Sequence, residues 1–93
     1  PRPNGATLLT VVASGYAIAG LTASGLPAGV GTVAVDPAVI PLGAALTIPG
    51  YGGGVAADTG GAVRGAAIDL WFETEAEARA WGRRVVTIVV RRG

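Results

Sequence analysis

Glycine and proline interrupt this sequence at short intervals, with 16 glycines and 6 prolines in 93 residues. The segments between them are short and rich in β-branched residues, which favour strands. We therefore predict short strands joined by turns and glycine-rich loops. The predicted strands cover residues 8–13, 32–35, 45–48, 55–58, 66–72 and 84–90, and the first can extend to residue 16 through a bulge or kink at Ser14 and Gly15.

One helix is predicted, over residues 75–81. Thr74 is a good N-cap, and Glu77 follows three residues later, as a capping box requires. Gly82 can end the helix, and Trp81 is expected to pack on the sheet. Six short strands with one short helix are typical of a mainly β protein built as a small closed barrel.

Length and composition limit the possible functions. The 93 residues fit one domain over residues 1–93, a monomer in which residues 1–6 are interpreted as a linker remnant. We see no signal peptide and no apolar stretch near the roughly 20 residues that cross a bilayer. A net charge of +1 argues against nucleic acid as a partner. The absence of His and Cys excludes Ser-His-Asp and Cys-His catalysis and the usual zinc sites, so we expect no metal or cofactor.

Three aspartates are candidate functional residues, because each ends or interrupts an apolar, strand-like run: Asp36, Asp58 and Asp69. Asp36 precedes a proline, and Asp58 precedes a Thr-Gly-Gly turn. Each of these two therefore has an alternative explanation as an ordinary turn residue. Asp69 lies inside the alternation of residues 66–72, on the face that it shares with Trp71. A carboxylate is costly to bury unpaired. We therefore predict a groove in which partial burial raises the pKa of Asp69 and lets it act as an acid. An acid beside the flat indole ring of Trp71 suggests a sugar polymer as the substrate.

The triplet Asp-Thr-Gly at residues 58–60 also matches the catalytic sequence of aspartic proteases. A chain of this length could dimerise like a retroviral protease, with one Asp from each subunit. In those enzymes, however, the triplet lies in the first third of the chain, whereas here it begins at residue 58 of 93. A dimeric aspartic protease stays open as an alternative.

A longer resemblance runs through the chain from residue 22 onward. Its segments include Thr-Ala-Ser-Gly at 22–25, Thr-Val-Ala-Val-Asp-Pro at 32–37, Ile-Pro-Leu-Gly at 40–43, Ala-Ala-Asp-Thr-Gly-Gly at 56–61 and Ile-Asp-Leu-Trp-Phe at 68–72. In this order the segments resemble the 3D domain, a family named for its three aspartates. The resemblance implies a six-stranded double-psi β-barrel with one short helix, similar to the catalytic domain of MltA-type lytic transglycosylases. Residues 8–16 match the family only loosely.

The resemblance also implies roles for individual residues. Asp69 would be the catalytic acid and base, Asp58 an assisting carboxylate, and Asp36 a structural or substrate-positioning group. The residues expected to bind substrate are two loop threonines and two aromatic residues: Thr22, Thr59, Tyr51 and Trp71.

The implied substrate is the glycan strand of peptidoglycan, in a secreted or cell-envelope protein. Asp69 would protonate the bond between N-acetylmuramic acid and N-acetylglucosamine, and the 6-hydroxyl of the muramic sugar would close a 1,6-anhydro ring. This chemistry requires no metal and no protein nucleophile. A glycan- or wall-binding module of the same fold, without cleavage, is the alternative.

Overall fold

The structure, a computed structural model, describes residues 5–18, 20–60 and 62–92. Along these ranges lie β1 (Ala6–Tyr16), β2 (Thr32–Val35), β3 (Ala45–Ile48), β4 (Gly52–Asp58), β5 (Ala67–Trp71), α1 (Glu75–Trp81) and β6 (Arg83–Arg91). The six predicted strands and the predicted helix are therefore confirmed. No helix within these ranges is both long and apolar enough to cross a membrane.

Some predictions concern residues outside the described ranges. These are residues 1–4 of the expected linker, Ala19, which begins the glycine-rich loop predicted over residues 19–31, and Gly61 in the turn after β4. Ala6, at the end of the expected linker, is the first residue of β1 and is buried.

The six strands form one closed barrel in the order β1, β5, β2, β4, β3 and β6, and β6 returns to β1. The β1–β5 and β2–β4 contacts are parallel, and the other four contacts are antiparallel. Within the described ranges each strand thus bonds to two neighbours, so closure leaves no strand at the edge of the sheet. The predicted fold class, a mainly β six-stranded double-psi barrel with one short helix, is confirmed.

Aliphatic side chains from the strands and from the segment between β2 and β3 form the core. The largest fully buried side chains are Ile40, Ile48, Ile68, Leu70, Ile88, Val11, Val33 and Val35. Burial alternates along β5, where Ile68 and Leu70 point inward while Asp69 and Trp71 lie on the outer face. The alternation read from the sequence is confirmed, and it places Asp69 outside the aliphatic core.

Ser14 and Gly15 do not form the predicted bulge, because the register of β1 against β5 passes through both residues without a shift. Gly15 is needed for close packing instead. A Cβ atom there would lie 2.8 Å from the Phe72 ring and 3.1 Å from the Cα atom of Ala78. The glycine therefore lets the Phe72 ring and α1 approach β1.

The apolar residues between β2 and β3 predict two buried side chains, Ile40 and Leu42. Ile40 is buried, but Leu42 is 42% exposed, because it lies in a turn closed by a hydrogen bond from the Ala44 N–H to the Pro41 carbonyl. The glycines at 52–54 predict a hairpin or a loop, and the structure shows a hairpin in which they form the first part of β4 opposite β3. Glycines tolerate this extended pairing although they do not favour it.

Helix α1 begins and ends as the sequence predicts. The Thr74 hydroxyl accepts a hydrogen bond from the Glu77 N–H at 3.1 Å, and a Glu77 carboxylate oxygen accepts one from the Thr74 N–H at 3.2 Å. Gly82, with a φ of 72°, ends the helix. The indole of Trp81 is 6% exposed and donates a hydrogen bond to the Ala13 carbonyl at 3.0 Å. This bond fixes the helix to β1.

We predict that Gly15→Ala lowers the free energy of unfolding by roughly 1–3 kcal/mol, because its methyl group overpacks the contact with Phe72 and α1. Urea unfolding would measure the change. Gly53→Ala is the matched control, since a Cβ atom on Gly53 meets no atom within 4 Å. Equal stability of the two variants would contradict this account of Gly15.

Candidate functional site

Two of the three predicted aspartates lie in one row across the barrel wall. Asp58 of β4 lies opposite Ala34 of β2, and Ala34 lies opposite Asp69 of β5. Residues directly opposite one another on neighbouring strands point to the same face of a sheet. With strands about 4.8 Å apart, the Cα atoms of the two aspartates lie roughly 10 Å apart. Ala34, the residue between them, is itself buried at 4% exposure.

A β-bulge in β4 puts Asp58 on this face. The pairing of β2 with β4 shifts by one residue after Val33, so Ala57 has no partner of its own and Ala34 pairs with Asp58. Without the extra residue, Asp58 would pair with Val35, whose side chain is fully buried in the core. A one-residue shift exchanges the two faces of a strand. The bulge therefore turns the Asp58 carboxylate from the core to the outer face.

The glycine-rich loop before β2 is bonded to this bulge. The Ser24 N–H donates to the Ala57 carbonyl at 3.1 Å. The Ala23 N–H and the Thr59 N–H both donate to Oδ1 of Asp58, each at 2.9 Å. These two bonds fix the orientation of the Asp58 carboxylate and tie the loop to it.

Asp69 is partly buried on the outer face of β5. Its Oδ1 atom is buried and has no hydrogen-bond partner among the residues that the structure describes. Burial raises the pKa of this carboxyl group above its ordinary value, because desolvation disfavours the charged form. A cleft of about 210 Å³ opens beside it and is lined also by Ser14, Val63 and Arg83. Asp69 thus lies beside a cleft and is partly buried, and its catalytic role stays a prediction.

Strand β1 contributes two more polar side chains to the same face. Ser14 pairs with Asp69, and Tyr16 pairs with Trp71. The Tyr16 hydroxyl is buried and lacks a hydrogen-bond partner within the described ranges. Burial is the first cause that raises its pKa to about 12, and the negative charges of Asp58 and Asp69 add to it. The hydroxyl therefore lies in the electrostatic field of both carboxylates.

The sequence alone does not mark Ser14 and Tyr16 as site residues. Both fall in the segment that matches the family only loosely, and Ser14 was assigned to a bulge. Their spacing does indicate that the two side chains share a face, since they are two residues apart on one strand. Placing that face beside Asp69, however, requires the parallel register of β1 against β5, and three other strands separate β1 from β5 in the chain.

Asp36 lies at the end of β2 and has a different environment. One carboxylate oxygen accepts a hydrogen bond from the Gly65 N–H at 2.8 Å, and the other accepts one from the Ala38 N–H at 3.0 Å. The Gly65 bond first and the Ala38 bond second lower the pKa of Asp36. The carboxylate ties the end of β2 to the segment before β5. This geometry is that of a structural group, and a catalytic role for Asp36 stays a prediction.

The two predicted aromatic residues are joined by a hydrogen bond. The Tyr51 hydroxyl donates to the Trp71 carbonyl at 2.7 Å and accepts from the Gly31 N–H at 3.1 Å. The Tyr51 ring packs edge-on against Phe72, with 5.3 Å between ring centroids. The Trp71 indole N–H donates to the Ile18 carbonyl at 3.1 Å. Trp71 shares the outer face with Asp69, whereas Tyr51 supports that wall from the core side.

The two predicted threonines lie on either side of Asp58. Thr22 is 7% exposed, and its hydroxyl donates to the Leu26 carbonyl at 2.8 Å, which stabilises the loop. Thr59 is exposed and follows Asp58 directly. Substrate binding by either residue stays a prediction.

Across residues 5–18, 20–60 and 62–92, no three acidic, His or Cys side chains are grouped closely enough to hold a metal ion. The groups that the barrel does bring together are two carboxyl groups and a phenol hydroxyl. Such a set is suited to proton transfer and to hydrogen bonding of an uncharged polar ligand.

A family model described as the 3D domain matches residues 31–91, which is more than half of the chain. The chain belongs to the 3D domain family. The matched range contains all three aspartates and excludes β1, so the two polar residues of β1 lie outside the part that the family description covers.

Two relatives of this 3D domain come from Bacillus subtilis (strain 168). The cell wall-binding protein YocH is 41% identical over 91 residues, covering 88% of this chain and 32% of YocH. YabE, described as a candidate cell wall shaping protein, is 47% identical over 58 residues, covering 62% of this chain and 14% of YabE. The chain thus spans about a third or less of these relatives.

We predict opposite effects on stability for two amide variants of this 3D domain. The folded-state pKa of Asp36 is lowered, so the stability it contributes is present above the unfolded value of about 3.9 and is lost as pH falls through the folded value. The pKa of Asp69 is raised, so its charge destabilises the folded state above that pKa. At pH 7, Asp36→Asn should lower the Tm and Asp69→Asn should raise it.

Thermal unfolding at pH 7 and at about pH 3 would measure both effects. The gain from Asp69→Asn should shrink at the lower pH, because the wild-type carboxyl is then protonated in both states. A lower Tm for Asp69→Asn at pH 7 would show that the carboxylate is paired in the folded protein.

Proposed function

We propose that this 3D domain cleaves the glycan strands of peptidoglycan as a lytic transglycosylase in a cell-envelope protein. The observation that carries the proposal is the state of Asp69, whose carboxyl group lies in a cleft with one buried oxygen left without a partner within the described residues. Its raised pKa keeps the proton to a higher pH than an ordinary aspartate does. A carboxyl group of this kind can protonate a leaving oxygen.

In the proposed reaction, Asp69 donates its proton to the oxygen that joins N-acetylmuramic acid to N-acetylglucosamine, and the bond from this oxygen to C1 of the muramic sugar breaks. The 6-hydroxyl of the same sugar then bonds to C1, and its proton passes to the Asp69 carboxylate. The product ends in a 1,6-anhydro ring, no water is consumed, and Asp69 regains its starting state. One carboxyl group suffices, unlike the paired carboxylates of glycoside hydrolases.

Asp58 has a supporting role in this proposal. Its carboxylate is oriented by the Ala23 and Thr59 N–H groups and lies on the same face as Asp69. Negative charge at a fixed position stabilises the positive charge that develops at C1 in the transition state. Because its Cα atom lies roughly 10 Å from that of Asp69, the two carboxylates would contact different parts of one substrate.

The names of the two relatives support a cell-wall polymer as the ligand of this domain. The description of YocH as a cell wall-binding protein also favours a second candidate function, which is binding of the wall polymer without cleavage. In that case the outer face around Asp69 and Trp71 would hold the glycan, and the unpartnered carboxyl oxygen would accept a hydrogen bond from a sugar hydroxyl.

Incubation with purified peptidoglycan, followed by mass analysis of the soluble products, tests the proposal. Wild-type protein should release muropeptides with 1,6-anhydro ends. Asp69→Asn should lower the release by about 10²- to 10⁴-fold, because the proton donor is lost. Glu73→Gln is the matched control, since it makes the same chemical change at an exposed acid away from the cleft.

Other products would favour the other functions. Co-sedimentation with peptidoglycan without release of fragments would support the wall-binding module. Products that have gained water would indicate a hydrolase. Cleavage of proteins but not of glycans would support the aspartic protease instead.

The rate of glycan cleavage should fall as pH rises through the raised pKa of Asp69, because only the protonated carboxyl group can donate. Initial rates of muropeptide release over a pH series, at constant ionic strength, would measure this decrease in rate with rising pH. A rate that increases with pH across the same range would mean that Asp69 acts first as a base.

A further inference from the structure

We propose that Tyr16 is a substrate-binding residue of this site and that its hydroxyl donates a hydrogen bond to a hydroxyl oxygen of the glycan that also contacts Asp69. The inference rests on the proposed glycan substrate and adds a residue from β1, outside the range that the family model covers.

The register of the barrel places Tyr16 beside the two carboxylates. Tyr16 is the last residue of β1 and pairs with Trp71, two residues after Asp69 on β5. Diagonal neighbours on adjacent strands lie about 7–8 Å apart, which is within reach of an aromatic side chain. The charges of Asp58 and Asp69 both act on the Tyr16 hydroxyl. The phenol group therefore lies on the same outer face of the barrel as both carboxylates.

The hydrogen bonds of this region are incomplete in the free protein. The Tyr16 hydroxyl and Oδ1 of Asp69 are both buried, and neither has a partner within the described residues. Most buried polar atoms in folded proteins are paired, and an unpaired one lowers stability. Here two unpaired oxygens occur on one face of adjacent strands, which is the arrangement expected where a ligand completes the bonds.

The two unpaired groups are chemically complementary to a sugar hydroxyl. The Tyr16 O–H needs an acceptor, and a carboxylate oxygen of Asp69 needs a donor. A single hydroxyl group can accept from the first and donate to the second. Tyr16 also keeps its proton at neutral pH, so it is a neutral donor throughout the working range. The class of ligand is therefore a polyhydroxylated, uncharged part of the substrate.

The chain contains its own comparison, because it has two tyrosines. The Tyr51 hydroxyl donates to the Trp71 carbonyl and accepts from the Gly31 N–H, so both of its hydrogen-bonding functions are used within the fold. Removal of the Tyr51 hydroxyl should destabilise the barrel. Removal of the Tyr16 hydroxyl should not, because no bond within the fold is lost.

The test compares Tyr16→Phe with Tyr51→Phe in the same chain. Tyr16→Phe should unfold at the same temperature as wild type or at a higher one, whereas Tyr51→Phe should unfold at a lower one. On purified peptidoglycan, Tyr16→Phe should lower kcat/KM for muropeptide release by about tenfold, as expected for one lost hydrogen bond to an uncharged group. If the domain binds without cleavage, its dissociation constant for peptidoglycan in co-sedimentation should rise by about the same factor.

The outcomes separate this inference from the proposed function. A Tm for Tyr16→Phe that falls as far as that of Tyr51→Phe would show a structural partner for the hydroxyl and overturn the inference. Wild-type cleavage or binding that Tyr16→Phe leaves unchanged would also overturn it, while the proposed function would stand. Wild-type protein that neither binds nor cleaves peptidoglycan would overturn both.

Discussion

Closure of the barrel through β1 is the constraint on which the rest of the structure depends. β1 pairs through five residues with β5 on one side and through nine residues with β6 on the other. A chain of 93 residues without cysteine has no disulfide to stabilise it, so its stability depends on the buried core and on this strand pairing. The same pairing brings Ser14 and Tyr16 next to Asp69. The backbone bonds that hold the fold together therefore also assemble the candidate site.

One extra residue in β4, Ala57, determines which face of the barrel carries the Asp58 carboxylate. Because Ala57 is not paired, the carboxylate of Asp58 lies on the outer face, level with Asp69, and not among the aliphatic side chains of the core. The Ala57 carbonyl accepts a bond from the Ser24 N–H. The glycine-rich loop is thus attached at the point where the ladder is interrupted, and loop and carboxylate are positioned together.

The sequence predicts the local structure of this protein well and its long-range pairing poorly. Capping by Thr74 and the alternation around Asp69 depend on neighbours within a few residues, so both could be read directly. The bulge at Ala57 and the place of Tyr16 depend on the register between distant strands, which no local pattern encodes. For Gly15, the sequence predicts a bulge or kink where the structure has close packing of β1 against Phe72 and α1, because an isolated glycine gives the same signal in either case.

The pairing of the first strand, β1, with the last, β6, limits when the barrel can fold. The Thr10 and Thr87 hydroxyls, 2.9 Å apart in the folded barrel, are separated by 77 positions along the chain. Contacts of such long range form slowly, because a large loop must close before they stabilise anything. During synthesis, β1 emerges long before β5 and β6, its two neighbours, so both of its edges are exposed until they appear. Closure of the barrel can therefore only follow synthesis of β6, and a nascent chain that stops short of β6 would present unpaired backbone groups of β1 to other chains.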